Sequence, residues 1–261
     1  QSQSSTNYNG MQMGLDLWQN EKWRAGLYTT FMDTDSSISG ITGMSGGDAY
    51  NSTFSSYLGG YGTWTDTNGL YVDNVLQYGY HSVDLKNMYD RETYHPDGNS
   101  FTASVEVGKP WQLGDSNWLI EPQAQLIYQY SDFDDVTLKD RGKTKVSVNA
   151  DGSVIGRLGV RLAADYDTNY GKVKPYVRVN YWQELSDGQD TVTWKNTANN
   201  AAATDINANQ RFQTTEVAVG TTWAVTADVQ GYTEIGKTWD GGGDTSVSSD
   251  VSASVGMKIR F

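Results

Sequence analysis

The side chains able to act as acids, bases or nucleophiles are few. The chain has two histidines, His81 and His95, and no cysteine. His81 stands beside Ser82 and three residues before Asp84 in the run YGYHSVDL. Histidine, serine and aspartate are the parts of a hydrolytic relay, in which imidazole takes the hydroxyl proton and the carboxylate orients the imidazole. Such a relay needs three side chains that converge in space, and nearness in sequence is common by chance. No His/Cys cluster has zinc spacing. The acidic run SDFDD (Ser131–Asp135) has the ligand type of a weak Ca²⁺ loop, but a charge run of this kind reads as a solvated surface. The glycines of DGGGD (Asp240–Asp244) lack the strand–loop–helix setting of a phosphate cradle. The expectation is no catalytic centre, no metal and no cofactor.

What positions these residues is visible in the last eleven. In VSASVGMKIRF, Val251, Ala253, Val255, Met257, Ile259 and Phe261 are apolar, and every residue between them is small or polar. MQMGLDLW sets Met11, Met13, Leu15 and Leu17 against Gln12, Gly14 and Asp16, and KWRAGLYTTF does the same from Trp23 to Phe31. A period of two over such lengths marks strands with unlike faces. Two of them begin at Met11 and Lys22. Nine more lie near residues 51–64, 70–83, 101–109, 118–130, 154–166, 173–182, 211–222, 226–239 and 249–261. In the fourth, Val72, Leu76, Tyr78 and Tyr80 take the apolar face, with Asn74 an exception. Pro122 and Pro175 fall inside strand patterns and predict bulges or nearby strand ends, because proline cannot donate to the ladder.

These eleven strands are longer than the ~5–6 residues of ordinary globular strands and match the ~9–11 needed to cross a bilayer at a tilt. Mean hydropathy is −0.58, and no apolar run approaches the ~18 residues of a membrane helix. That excludes helical spans but not a membrane barrel, whose two faces average to a polar composition. A net charge of −12 argues against nucleic acid as a partner, because phosphate repels it. Connections alternate between short turns and long polar loops, as in outer-membrane barrels. Six of the nine tryptophans (Trp18, Trp23, Trp64, Trp111, Trp118 and Trp223) lie in or beside the short turns, where an interfacial aromatic belt is expected. The fold class is therefore all-β, an antiparallel transmembrane β-barrel. The first and last of eleven strands run the same way, so an even count predicts a twelfth that is missing or upstream. Residues 1–10 read as a polar leader or outer loop, and 11–261 as one barrel domain.

GLYVDNVLQYGY (Gly69–Tyr80), IEPQAQLIYQY (Ile120–Tyr130), GRLGVRL (Gly156–Leu162), EVAVG (Glu216–Gly220) and the terminal strand together resemble the β-domain of classical autotransporters, most closely the AIDA/antigen-43 adhesin type. That resemblance implies a twelve-stranded barrel in the Gram-negative outer membrane, a linker helix through its lumen and an exported passenger domain. It implies Val255, Met257, Ile259 and Phe261 as the signal read by the barrel-assembly machinery, with periplasmic chaperones upstream. The alternating register sets Asp16, Arg24, Asp73, Glu106, Glu121, Arg157, Arg161, Lys174, Arg178 and Glu216 on the lumen side, where charges of both signs pair. Some autotransporters cut their passenger with lumen carboxylates, and Asp16, Asp73, Glu106 and Glu121 are the acids available here, although ordinary lumen ion pairing is the better account of them. The function expected is passenger export by a non-enzymatic translocator; the alternatives are an outer-membrane protease or lipase and a simple solute pore.

Overall fold

The computed structural model describes residues 3–39, 49–87, 92–137, 139, 143–149, 152–186, 189–196, 204–209, 213–226, 228–241 and 251–259. All regular structure among them is β. The chain runs through β1 (Gln3–Gln19), β2 (Trp23–Ser39), β3 (Ala49–Thr65), β4 (Tyr71–Asn87), β5 (Thr93–Tyr94), β6 (Gly98–Gly108), β7 (Trp111–Gln112), β8 (Trp118–Phe133) and β9 (Val136–Thr137). It continues through β10 (Thr144–Asn149), β11 (Ser153–Ala164), β12 (Tyr166–Thr168), β13 (Gly171–Glu184), β14 (Gln189–Asn196), β15 (Thr204–Asn209), β16 (Gln213–Ala224), β17 (Val229–Gly241) and β18 (Val251–Ile259).

Eleven long strands form one curled sheet in the order β1-β2-β3-β4-β6-β8-β11-β13-β16-β17-β18. Each neighbouring pair is antiparallel. Among the described residues β1 and β18 do not pair with each other. They are first and eleventh along an antiparallel path, so they run in the same direction.

One face is apolar and open. Leu15 (64% exposed), Leu58 (64%), Leu158 (65%) and Ile235 (64%) all stand on it. Outward apolar residues in such numbers are unfavourable in water and favourable in hydrocarbon. The other face carries the polar half of each alternation.

Four sequence expectations change. The leader residues from Gln3 to Gly10 are strand, not loop, paired with Met32–Ser39 of β2. β1 to β4 each run 17 residues, although the apolar alternation is shorter. Hydrocarbon crossing needs only ~9–11 residues, and the tryptophan belt anchors the short-turn end, so the polar remainder extends past the membrane on the long-loop side. There the backbone ladder continues without any apolar face to reveal it. The long loops also contain structure: β15-β14-β10-β9 make a second, four-stranded sheet. Finally, Pro122 and Pro175 lie inside β8 and β13 in unbroken register with Val160 and Thr221. Each sits one residue past Gln123↔Gly108 or Tyr176↔Ala163 on its other side, in a short gap before the neighbouring ladder resumes at Trp111↔Ile120 or Tyr166↔Val173, so the missing donor falls where that ladder is interrupted. A register shift does occur between Asp16 and Trp18, with Leu17 the extra residue.

Candidate functional site: the polar wall

The polar face is knit across strands by side chains. Arg157 on β11 is its centre and is 7% exposed. Its Nη2 donates to Glu106 Oε2 on β6 at 2.6 Å. Its Nε donates to Gln125 at 2.8 Å, and its Nη1 donates to Gln123 at 3.0 Å and Asn180 at 2.8 Å. Its guanidinium also lies 5.4 Å from the Trp182 ring centroid. Asn180, fully buried, passes the network on by donating to Glu216 at 3.0 Å. Arg178 reaches Glu216 at 3.3 Å and Glu234 at 2.7 Å, and Tyr176 donates to Glu234 at 2.7 Å. Arg161 lies over the Tyr176 ring at 4.6 Å. On the other flank Tyr71 donates to Glu106 at 2.7 Å and Glu121 at 3.1 Å. One connected set of charges thus crosses from β4 to β17. Charge removed from water is tolerable when paired and hydrogen-bonded in this way.

Arg24 grips Asp16 by Nε at 3.0 Å and Nη2 at 2.9 Å, and Tyr61 donates to the same carboxylate. Asp73 accepts from Thr63 at 2.7 Å and stands opposite Glu106 in the β4–β6 register. Lys174 pairs with Asp165 at 2.9 Å near a short turn. The four acids weighed for cleavage do not all meet: Glu106 and Glu121 share Tyr71, Asp73 neighbours Glu106, and Asp16 lies with Arg24 on β1 and β2. In the terminal strand Val255 and Met257 are exposed on the apolar face, at 82% and 68%. Ile259 pairs with Val229, and Phe261 lies outside the described residues.

His81 is buried and bonded to Ser55 at 2.7 Å and Ser100 at 2.8 Å, not to Ser82 or Asp84. Strand alternation turns Ser82 and Asp84 to the opposite face. Asp84 instead meets His95 at 2.5 Å on the exposed rim. The proposed relay does not assemble. Among the described residues, no group of three or more His, Cys, Asp or Glu is arranged to hold a metal.

Sequence reasoning missed a set of tyrosines laid over glycines. Tyr61 faces Gly26, and Tyr28 faces Gly59, as direct cross-strand partners. A Cβ on either glycine would lie 2.3 Å or 2.2 Å from tyrosine atoms. The same opposition recurs at Tyr71 with Gly108, Tyr176 with Gly220 and Tyr232 with Gly256. Lying flat over a glycine lets Tyr61 reach Asp16, Tyr28 reach Gln77 and Tyr71 reach Glu121, each two strands away. The residue types were readable, but the pairing required the register.

A single curled antiparallel sheet, apolar on one face and ion-paired on the other, defines the class of outer-membrane β-barrel proteins. Within it, the chain belongs to the autotransporter beta-domain family, whose model matches residues 1–236, and this locates it in the Gram-negative outer membrane. Its fold is similar to the transport unit of the autotransporter AIDA-I from Escherichia coli, with a TM-score of 0.77 and 17% identity over all of this chain and 84% of that one. It is 33% identical over 152 residues to the adhesin BmaC autotransporter of Brucella suis biovar 1 (strain 1330), covering 55% of this chain and 4% of that protein. It is 28% identical over 239 residues to the autotransporter CRAC of Citrobacter rodentium (strain ICC168), covering 87% of this chain and 13% of that protein. The chain therefore spans a small fraction of these curated relatives.

Proposed function

We infer that this chain is the translocator wall of an autotransporter adhesin, and that its ion-paired face lines a hydrated route by which an attached passenger domain leaves the cell. The single observation that carries this is the charge network from Tyr71 to Glu234 on a sheet whose opposite face is apolar. A wall of this kind suits an unfolded polypeptide. Arg24, Arg157, Lys174 and Arg178 are each already paired with a carboxylate and Arg161 is stacked on Tyr176, so passing side chains are weakly held, and hydrated polar groups give apolar segments little to adhere to. The role is passive and non-enzymatic. By family likeness, a linker helix occupies the lumen, and the barrel-assembly machinery and periplasmic chaperones act on the terminal strand with Val255, Met257, Ile259 and Phe261. The parallel edges β1 and β18 accept one antiparallel strand between them. One such strand would complete twelve and leave no open edge in lipid.

The test uses the full-length precursor with its passenger stalled in transit. A photo-crosslinking residue at Arg161, on the polar face, is expected to trap the passenger, and one at Leu158, on the apolar face, is expected not to. Crosslinks at Leu158 alone, or a passenger that reaches the surface without contacting Arg161, would overturn the assignment. A solute pore predicts large stable currents in planar bilayers; a plugged translocator predicts small, noisy ones.

A further inference from the structure

The apolar belt is notched by a groove of about 370 Å³ that crosses β6, β8, β11 and β13. It exists because two outward positions are small. Ala124 stands opposite Leu158, and Gly156 opposite Leu126, so the floor drops between leucine walls. Leu185, just past the end of β13, closes the long-loop end: its Cδ1 lies 3.0 Å from where a Cβ on Gly156 would stand. Gln183, the partner of Gly156 on β13, brings a polar side chain to that same end. Gln125 and Arg157 also border the groove, but their side chains bond each other at 2.8 Å on the opposite face, so they lend it backbone.

An empty apolar notch forfeits dispersion contacts with whatever surrounds it, and water gains little there because it needs several polar partners. The groove is continuous with the face that meets hydrocarbon, and the long-loop end lies toward the outer leaflet. Membrane lipid is therefore the occupant with access. We propose that the groove lodges one acyl chain of an outer-leaflet lipid, with the Gln183 amide hydrogen-bonding the ester or amide linkage at the head of that chain. This rests on the membrane placement given by the family, and goes beyond it by naming a discrete lipid site on an otherwise even surface.

The experiment is native mass spectrometry of the full-length protein extracted from outer membranes in mild detergent. The wild type is expected to keep one lipid through detergent exchanges that strip loosely bound ones. Gly156→Phe fills the floor and is expected to lose that lipid, and Ala103→Phe, on the same face outside the groove, to keep it. Leu185→Ala opens the end of the groove and is expected to release the lipid at an earlier exchange step. Heat-modifiable migration on gels reports assembly of each variant. Should Gly156→Phe fail to assemble, Ala124→Leu and Leu185→Ala decide the matter by the same loss. A wild type with no retained lipid, equal retention in the filled variants, or a dimer that Gly156→Phe dissociates would each overturn the proposal. Failure of the membrane placement would be seen separately, as a protein recovered without detergent.

Discussion

Removing Arg157 should damage the barrel more than removing any other charge on the polar wall. The side chain is 7% exposed and its partner Glu106 is 20% exposed, so neither is strongly screened by water. Arg157→Ala leaves the Glu106 carboxylate without its cation and strips donors from Gln125, Gln123 and Asn180. Breaking a buried pair from one side costs about 3–5 kcal/mol. Glu106→Gln keeps the shape and an acceptor for Tyr71 and removes the charge, for which about 1–3 kcal/mol is expected. Combining Arg157→Ala with Glu106→Gln removes both charges, so the double variant should lose clearly less than the sum of the singles. As a control, Arg24→Ala breaks a pair whose side chains are each 33% exposed, and should cost no more than about 1 kcal/mol. The assay is reversible urea unfolding in lipid vesicles, followed by tryptophan fluorescence. A loss under about 1 kcal/mol for Arg157→Ala, or strict additivity of the pair, would refute the view that this network holds the wall together.

Other outcomes follow from the same geometry. Gly59→Ala places a Cβ 2.2 Å from the Tyr28 ring and should cost about 1–3 kcal/mol by overpacking, partly restored by adding Tyr28→Ala; equal assembly rates for wild type and Gly59→Ala would contradict this. On the outer rim, the Val83 N–H and Tyr80 hydroxyl hold Asp97 below the usual carboxylate range, and Lys145 does the same for Asp135. A depressed folded-state value means the rim contacts are fully present above about pH 4, the ordinary aspartate value, and are lost as pH falls through the lower folded one. Protease resistance of the outer loops should therefore be flat from pH 7 to pH 5 and decline only below about pH 4; a decline centred near pH 6 would point to histidine instead. Deleting Phe261 should reduce membrane insertion of the precursor, and unchanged insertion would remove it from the assembly signal.

Much of the wall was legible in the sequence because lipid and lumen make opposite demands on alternate residues. Met11 to Leu17, Leu126 to Tyr130 and Leu158 to Leu162 carry that demand openly, and the eleven long strands follow from it. The ten charged positions follow as the other half of the same alternation. Residues Gln3–Gly10 did not read as strand because beyond the hydrocarbon both faces are wet and the backbone ladder alone holds them. The second sheet, β15-β14-β10-β9, was hidden because its strands are two to eight residues long and lie in polar loops. Partners such as Ser55 with His81, 26 residues apart, or Tyr61 with Gly26, appear only once the register is fixed.

The central claim is that neighbouring residues along one strand face hydrocarbon and water in turn. The chain has no cysteine, so single cysteines placed successively from Met11 to Leu15 on β1, all exposed, can each carry a spin label in the full-length protein reconstituted in lipid. Accessibility to oxygen and to a water-soluble nickel chelate should oscillate with a period of two and in opposite phase, with oxygen high at Met11, Met13 and Leu15 and nickel high at Gln12 and Gly14. Nickel access on both faces, or a trace without the two-residue period, would contradict the structure and the function drawn from it.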